Sequence, residues 1–286
     1  QILLTAVLLI FLLTDINISY GQTILTDDNK VPIEGFGLVK DPNSNTVYFG
    51  KTDSITNTAI YSAILSGDKL TSIQKTPILD KNSQETIPFF SSDGKYIFVF
   101  SNYENQNPKN LDLWFGKYYK GEIKALTKAA PVNTDSVEYY GSMSAKGYIY
   151  FSSWRKNGYG RGDIFSAKFK KGKISGATHL DNSINNKFIN SSPAISPHGD
   201  WFIFYNENEN GADLYISFLK SEQWSKPIKL SNLVNTLNFE FAPVVGDNGK
   251  TLYFSRREKS ISSEKQVYHI YKISVDELEL NNLKIA

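Results

Sequence analysis

Four glutamates, Glu34, Glu85, Glu138 and Glu240, recur at intervals of about fifty residues, and Asn190 stands where a fifth would fall. Carboxylates are the raw material of paired acid–base chemistry, above all glycoside hydrolysis, where one acts as acid and another as base or nucleophile. A catalytic pair needs unlike environments to separate its pKa values. Residues at equivalent places of a repeat have like ones, so no catalytic residue is assigned. Two readings of the series remain: carboxylates gathered at one mouth of a central channel, binding a cation or a basic partner, or hydrogen bonding to the adjacent blade's backbone. His179, His198 and His269 fall in different copies with no HxH or HxxxH spacing, which gives no metal site. The chain has no cysteine, which excludes disulfides, thiolate catalysis, zinc–thiolate sites and an acylated lipoprotein cysteine. No G-x-S-x-G nucleophile elbow occurs. The stretch NENENGAD (206–213) lacks the ligand spacing of a calcium loop and is expected to be a solvated loop. No metal or cofactor is implied.

A residue type present in every copy is most simply structural, whereas a reactive side chain in one copy is the better binding candidate. By that test Asp112, Asp163 and Asp213 are structural, opening a strand and capping turn N–H groups. The unequal residues are Trp154, Arg155, Tyr159 and Arg161 in a long loop of the third copy, Arg256 and Arg257 at the matching place of the fifth, and Tyr103 in the second. Aromatic and Arg side chains concentrate binding energy when a partner buries them. The plain alternative is that they lie over apolar neighbours.

The elements that must position these groups repeat with them. A phenylalanine ends an aromatic run at Phe49, Phe100, Phe151, Phe204 and Phe254, with separations of 51, 51, 53 and 50. An aromatic in the next run keeps step: Tyr61, Trp114, Phe165, Tyr215 and Tyr271. Between short apolar pieces lie turns such as SSDGK, SPHGD and GDNGK, whose Asp-Gly and Asn-Gly pairs suit the positive φ of tight hairpins. Short runs rich in aromatic and β-branched residues, bounded by such turns, read as strands. Four strands in a unit of about fifty residues match the arithmetic of a β-propeller blade. The expected fold is therefore all-β, a five-bladed rather than six-bladed propeller over residues 22–286. Its units fall near 31–80, 81–133, 134–186, 187–236 and 237–280. The segment QTILTD (22–27) has no blade of its own and is expected to close the ring on the last blade, whose fourth strand is otherwise missing unless LELNNLKI supplies it.

Three stretches carry a family resemblance: SSWRKNGYGRGDIFSA (152–167), HLDNSINNKFINSSPAISPHGDWFIF (179–204) and KLSNLVNTLNFEFAPVVGDNGKTLYFSR (229–256). They resemble the WD40-like repeats of TolB-type propellers, over roughly residues 30 to 280. The first unit departs from the pattern with DPNSNT in its turn, and the fourth has His198 for the turn Asp and Asn190 for the acidic residue. The resemblance implies an envelope or secreted propeller that binds other proteins or cell-wall material.

Export is also suggested by the twelve-residue apolar run Ile2–Leu13, shorter than the roughly 20 residues of a spanning helix. It fits the core of a signal peptide over residues 1–21, or else an uncleaved tether. No later run is long enough to span a membrane, so a periplasmic, cell-surface or extracellular location is expected. With 31 basic and 29 acidic side chains, the chain lacks the clustered basic surface of a nucleic-acid binder. The expected partner is a protein or a cell-envelope component.

Overall fold

The computed structural model describes residues 21–54, 57–104, 107, 110–156, 158–209, 211–259 and 266–285. The apolar run Ile2–Leu13 and the signal-peptide reading lie outside them.

The hairpin grammar of the sequence produces five antiparallel sheets. Blade one is built from Phe36–Lys40, Thr46–Ser54, Asn57–Ser66 and Lys69–Lys75, and blade two from Phe89–Phe90, Tyr96–Ser101, Asp112–Tyr119 and Glu122–Lys128. Blade three has Glu138–Met143, Tyr148–Ser153 and Asp163–Lys170, and blade four has Ile189–Ile195, Trp201–Asn208 and Gly211–Lys220. In these two the outer strand is split into two short pieces, Lys173–Ile174 with Thr178–His179 and Gln223–Trp224 with Ile228–Lys229. Blade five comprises Phe239–Gly246, Thr251–Lys259 and Gln266–Ser274. Its fourth strand is N-terminal: Thr23 and Ile24 pair with Lys272 and Tyr271. The ring is thus closed as expected by the segment that had no blade. LELNNLKI adds no strand, because Leu280–Ile285 is a short helix packed through Leu280 and Leu283 on the blade-five side.

NENENGAD is not the solvated loop expected of it. Strands run to Asn208 and resume at Gly211, because its alternation places Asn206 and Asp213 inward as a cross-strand pair. Register also moves one repeat marker. Trp114 lies opposite Val99, not Phe100, whereas Phe165, Tyr215 and Tyr271 lie opposite Phe151, Phe204 and Phe254.

The core lies in the seams between blades, since each sheet is apolar on both faces and stacking round the ring buries both. Phe49, Phe100, Phe151, Phe204 and Phe254 are all at most 1% exposed. The seams join Phe98 to Phe169 of the next blade, Tyr150 to Phe202, and Phe218 to Phe254 within continuous clusters. The seam between blades one and two is smaller, with Tyr48, Ile60 and Ile87 buried. It also holds a polar chain in which Tyr118 donates to Asp41 at 2.9 Å and sits 3.3 Å from the Tyr48 hydroxyl. Burial and the Asp41 carboxylate push the Tyr118 phenol above its ordinary value.

Four innermost strands carry a bulge whose extra residue has positive φ: Gly37 (55°), Tyr140 (43°), Ser192 (52°) and Ala242 (46°). Only glycine adopts this conformation freely, and at Gly37 a Cβ would also run into Ile87. The bulges serve the ring. Gly37 N–H donates to Ser255 Oγ and Ser192 N–H to Ser152 Oγ, both at 2.9 Å and both across a blade boundary.

Candidate functional site

The repeated carboxylates are built into the loops. Glu85 is 4% exposed, and Glu138 and Glu240 are fully buried. Glu85 accepts the N–H groups of Ile78, Leu79 and Asp80 at 2.7, 2.8 and 3.3 Å. Glu138 accepts from Thr134 N–H and Oγ1 and from Ser153 Oγ, and Glu240 accepts from Thr236 N–H and Oγ1. Each therefore ties together the connection that leads into its own blade. Burial holds the Glu85 and Glu138 carboxyls above the usual carboxylate range, opposed by these hydrogen bonds. Glu34 is exposed and lies one residue outside the series. In blade one it is Gly35 that donates across the seam, to Tyr268 O, as Glu138 does to Leu111 O and Asn190 to Gly162 O.

Two of the candidate arginines complete these carboxylates. Arg256, 4% exposed, places Nε 2.7 Å from Glu240 Oε1 and donates from Nη2 to Gln22 and to Val234 O. Arg155 is half-buried, donating to Val132 O at 2.9 Å and to Glu138 Oε1 at 3.2 Å. Each guanidinium lies over the third-strand aromatic of its blade, 4.3 Å from Phe165 and 4.4 Å from Tyr271. Arg257, on the other face of the same strand, lies 4.0 Å from Phe239.

The remaining candidates face outward at the end of the ring where second strands finish. Trp154 is 53% exposed and Tyr159 50%. Trp154 Nε1 donates to the Tyr139 hydroxyl at 2.6 Å, and the two rings meet edge to face. Tyr159 stacks on His179 at 4.9 Å, and His179 stacks in turn on Phe165 at 4.5 Å. Tyr103, 40% exposed, meets Trp114 edge-on, and Arg161 is exposed. Trp154, Tyr159 and Tyr103 make these ring contacts within their own blades, so they share a face without forming one cluster.

Two repeating devices were not visible in the sequence as roles. Asp112, Asp163 and Asp213 each hold the basic residue sixteen positions on: Lys128 at 2.9 Å, His179 at 2.8 Å and Lys229 at 2.7 Å. The side-chain amides of Asn133, Asn185 and Asn235 hydrogen-bond both the N–H and the carbonyl of Leu113, Ile164 and Leu214. The constant sixteen-residue step of the Asp pairs and the 20- or 21-residue step of the Asn pairs were the available signal.

The opposite end of the ring opens into a central funnel of about 400 Å³ lined from all five blades. Its walls mix apolar side chains, including Val39, Phe90, Ile195 and Val244, with polar ones such as Ser142 and Ser192, and Lys40 and Asp247 lie 3.9 Å apart in the lining. Tyr140, at its bulge, lines the funnel and packs against the cluster of Tyr48, Ile60 and Ile87, as Val39, Phe90 and Val244 do.

The resulting architecture has counterparts among solved structures. An α-L-arabinofuranosidase from Lactobacillus brevis is 12% identical, with 86% of this chain and 92% of that one covered, at a TM-score of 0.53. An exo-β-1,3-galactanase from Clostridium thermocellum is 11% identical, with 87% and 61% covered, at 0.52. The protein is a five-bladed β-propeller. TolB from Acinetobacter baumannii is also similar, at 13% identity and a TM-score of 0.49, and this chain spans 54% of that chain's length. At these identities the likeness is one of fold, the propeller that the TolB-type resemblance implied. No protein-family model and no curated protein matches the chain. Among the described residues no helix of the propeller is long and apolar enough to cross a membrane, and no group of three or more His, Cys, Asp or Glu could hold a metal ion.

Proposed function

We propose that this propeller is an exported, non-catalytic scaffold that binds a protein or cell-envelope partner through the face carrying Trp154, Tyr159, Arg161 and Tyr103. The observation that carries the reading is the state of Trp154 and Tyr159. Both are half exposed, yet each ring is already fixed, one by the Tyr139 hydroxyl and the other by His179. Fixed, amphipathic rings lose little side-chain entropy on contact, which is how aromatic anchors give affinity cheaply. The non-catalytic part rests on the repeated glutamates, whose oxygens are engaged by loop N–H groups, hydroxyls and Arg side chains. In this scheme Arg155 and Arg256 stiffen the face from beneath.

The test uses the immobilised protein and an envelope extract, with Trp154→Ala/Tyr159→Ala as the contact variant. A stoichiometric partner held by the parent protein and weakened at least about tenfold by the variant is expected. Equal capture by both proteins would remove this face from the site. Turnover of a glycan that one Glu substitution abolishes would overturn the non-catalytic reading.

A further inference from the structure

Every blade carries one aromatic at the equivalent place of its third strand, and in four blades the chain itself covers that ring. Lys51 Nζ lies 5.7 Å from the Tyr61 centroid, and Lys128 Nζ lies 5.6 Å from Trp114, with Tyr103 edge-on at 5.5 Å. Arg155 covers Phe165 and Arg256 covers Tyr271. Blade four is different. Among the described residues Tyr215 makes one ring contact, with Phe204 beside it at 6.3 Å; its cross-strand partner Lys229 is turned to Asp213 at 2.7 Å, and no cation–ring contact forms over Tyr215.

The cause is a matched pair of substitutions. Glu240 and Arg256 face each other across the first two strands of blade five. The equivalent cross-strand pair in blade four is Asn190 and Asn206. Both asparagines are short, and they hydrogen-bond each other at 2.8 Å instead of reaching over the ring. With its amide turned end for end, Asn190 instead donates to Ile184 O at 3.2 Å and accepts from Asn186 N–H at 3.0 Å. That carbonyl occupies the place of Val132 O and Val234 O, to which the two arginines donate. Where the guanidinium would lie, a surface cavity of about 770 Å³ opens over Tyr215 and Phe204, walled by Asn186, Asn206, Asn208 and Phe188. That size falls within the roughly 300–1,000 Å³ of small-molecule sites.

We propose that this cavity binds one neutral sugar ring, its C–H face laid on Tyr215 and its hydroxyls hydrogen-bonded by the asparagine amides. The removal of charge selects against a cation. Arg155 and Arg256 lie in their places against buried carboxylates at 3.2 and 2.7 Å, and Asn190 offers none. A cation desolvated there would lack its counter-charge. The rim charges Lys187 and Glu209 pair with each other at 3.4 Å, and the third charge in the lining, Lys226, is positive and so also disfavours a cation. Amides both donate and accept, as hydroxyls do, and an aromatic floor matches the apolar face of a sugar. The site lies in a different blade from Trp154 and Tyr159 and does not depend on the loop-face reading.

The test titrates the protein with methyl β-glucoside, methyl β-galactoside and N-acetylglucosamine, and separately with N-acetyl-arginine amide, following amide shifts by NMR. At least one sugar should saturate, with an affinity near about 1 mM, and the shifts should centre on Tyr215. The variant Asn190→Glu/Asn206→Arg rebuilds the self-filled arrangement of blade five. It should fold with an unchanged or higher melting temperature and bind that sugar at least about tenfold more weakly. Tyr215→Leu keeps apolar packing, removes the flat ring and should weaken binding to the same degree. Failure of all three sugars to saturate, saturation by the arginine probe alone, or sugar binding that survives both blade-four substitutions would each overturn the proposal.

Discussion

The guanidinium of Arg256 has almost no solvent contact, and its partners come from three parts of the chain: Glu240, Val234 and the N-terminal Gln22. Removing one member of a buried ion pair strands the other without solvent. Arg256→Ala should therefore cost about 3–5 kcal/mol in urea unfolding. Arg155→Ala should cost less, because 19% of that side chain reaches solvent, where water can replace part of the lost partner. Glu85 gives a pH-dependent counterpart. Burial raises its carboxyl above the ordinary 4.5, against the pull of three backbone N–H groups. The native state thus holds this proton more tightly than the unfolded chain does. Its contribution to stability is present below the unfolded pKa and is lost as pH rises through the raised native value. The stability difference between the parent protein and Glu85→Gln should accordingly shrink, at the parent's expense, from about pH 4 to about pH 7. A difference that is flat or grows over that range would contradict this assignment.

At the level of the element, the connection between blades is held by a side chain that imitates a strand. Asn185 accepts from Ile164 N–H at 2.8 Å and donates to Ile164 O and Leu180 O at 2.9 and 2.8 Å. Asn133 and Asn235 repeat the contact to the third strand in blades two and four. Asn185→Ala takes a partner from the buried Ile164 N–H and the Leu180 carbonyl and leaves Ile164 O with the Leu180 N–H alone, so a loss of about 1–3 kcal/mol is expected. Faster hydrogen exchange of the Ile164 amide, with Leu214 unchanged, would localise the effect to blade three. These amides mark where sequence reading stops. Strands were legible because aromatic runs and Asp-Gly turns are local signals, and Phe49 to Phe254 kept the period in view. The roles of Asn185 and Arg155 depend on contacts 17 to 21 residues apart, and no short-range pattern encodes them, whereas the four-residue step from Thr134 to Glu138 and from Thr236 to Glu240 is local. Repeat counting also tolerated errors of one residue, which is why Glu34 was grouped with buried carboxylates although Gly35 holds the equivalent place. NENENGAD read as loop because its polar composition hides a period-two alternation with inward asparagines. The exposed candidates Trp154 and Tyr159 were legible as the residues in which the copies differ.

For the ring as a whole, closure rests on few residues. Thr23 and Ile24 are the only described residues assigned to the closing strand, extended by Leu25, whose N–H donates to Ile270 O at 2.9 Å. Leu25 itself is fully buried among Leu38, Val47, Phe49 and Ile270, which joins blade five to blade one. The ring has a second weak place in the small, partly polar seam of Tyr48, Ile60 and Ile87. Which of the two opens first can be decided by locking one. Thr23 and Lys272 are Cα partners in an antiparallel pair, a spacing of about 4.5–5.5 Å that lies within the range for a disulfide. Because the chain has no cysteine, the pair in Thr23→Cys/Lys272→Cys can bond only with itself within one molecule. The oxidised form should be more stable than the reduced form by about 2–4 kcal/mol, and the Leu25 amide should exchange more slowly. If closure is the first place to open, the oxidised form should also unfold more slowly. An unchanged unfolding rate alongside the gain in stability would place the first opening at the seam between blades one and two.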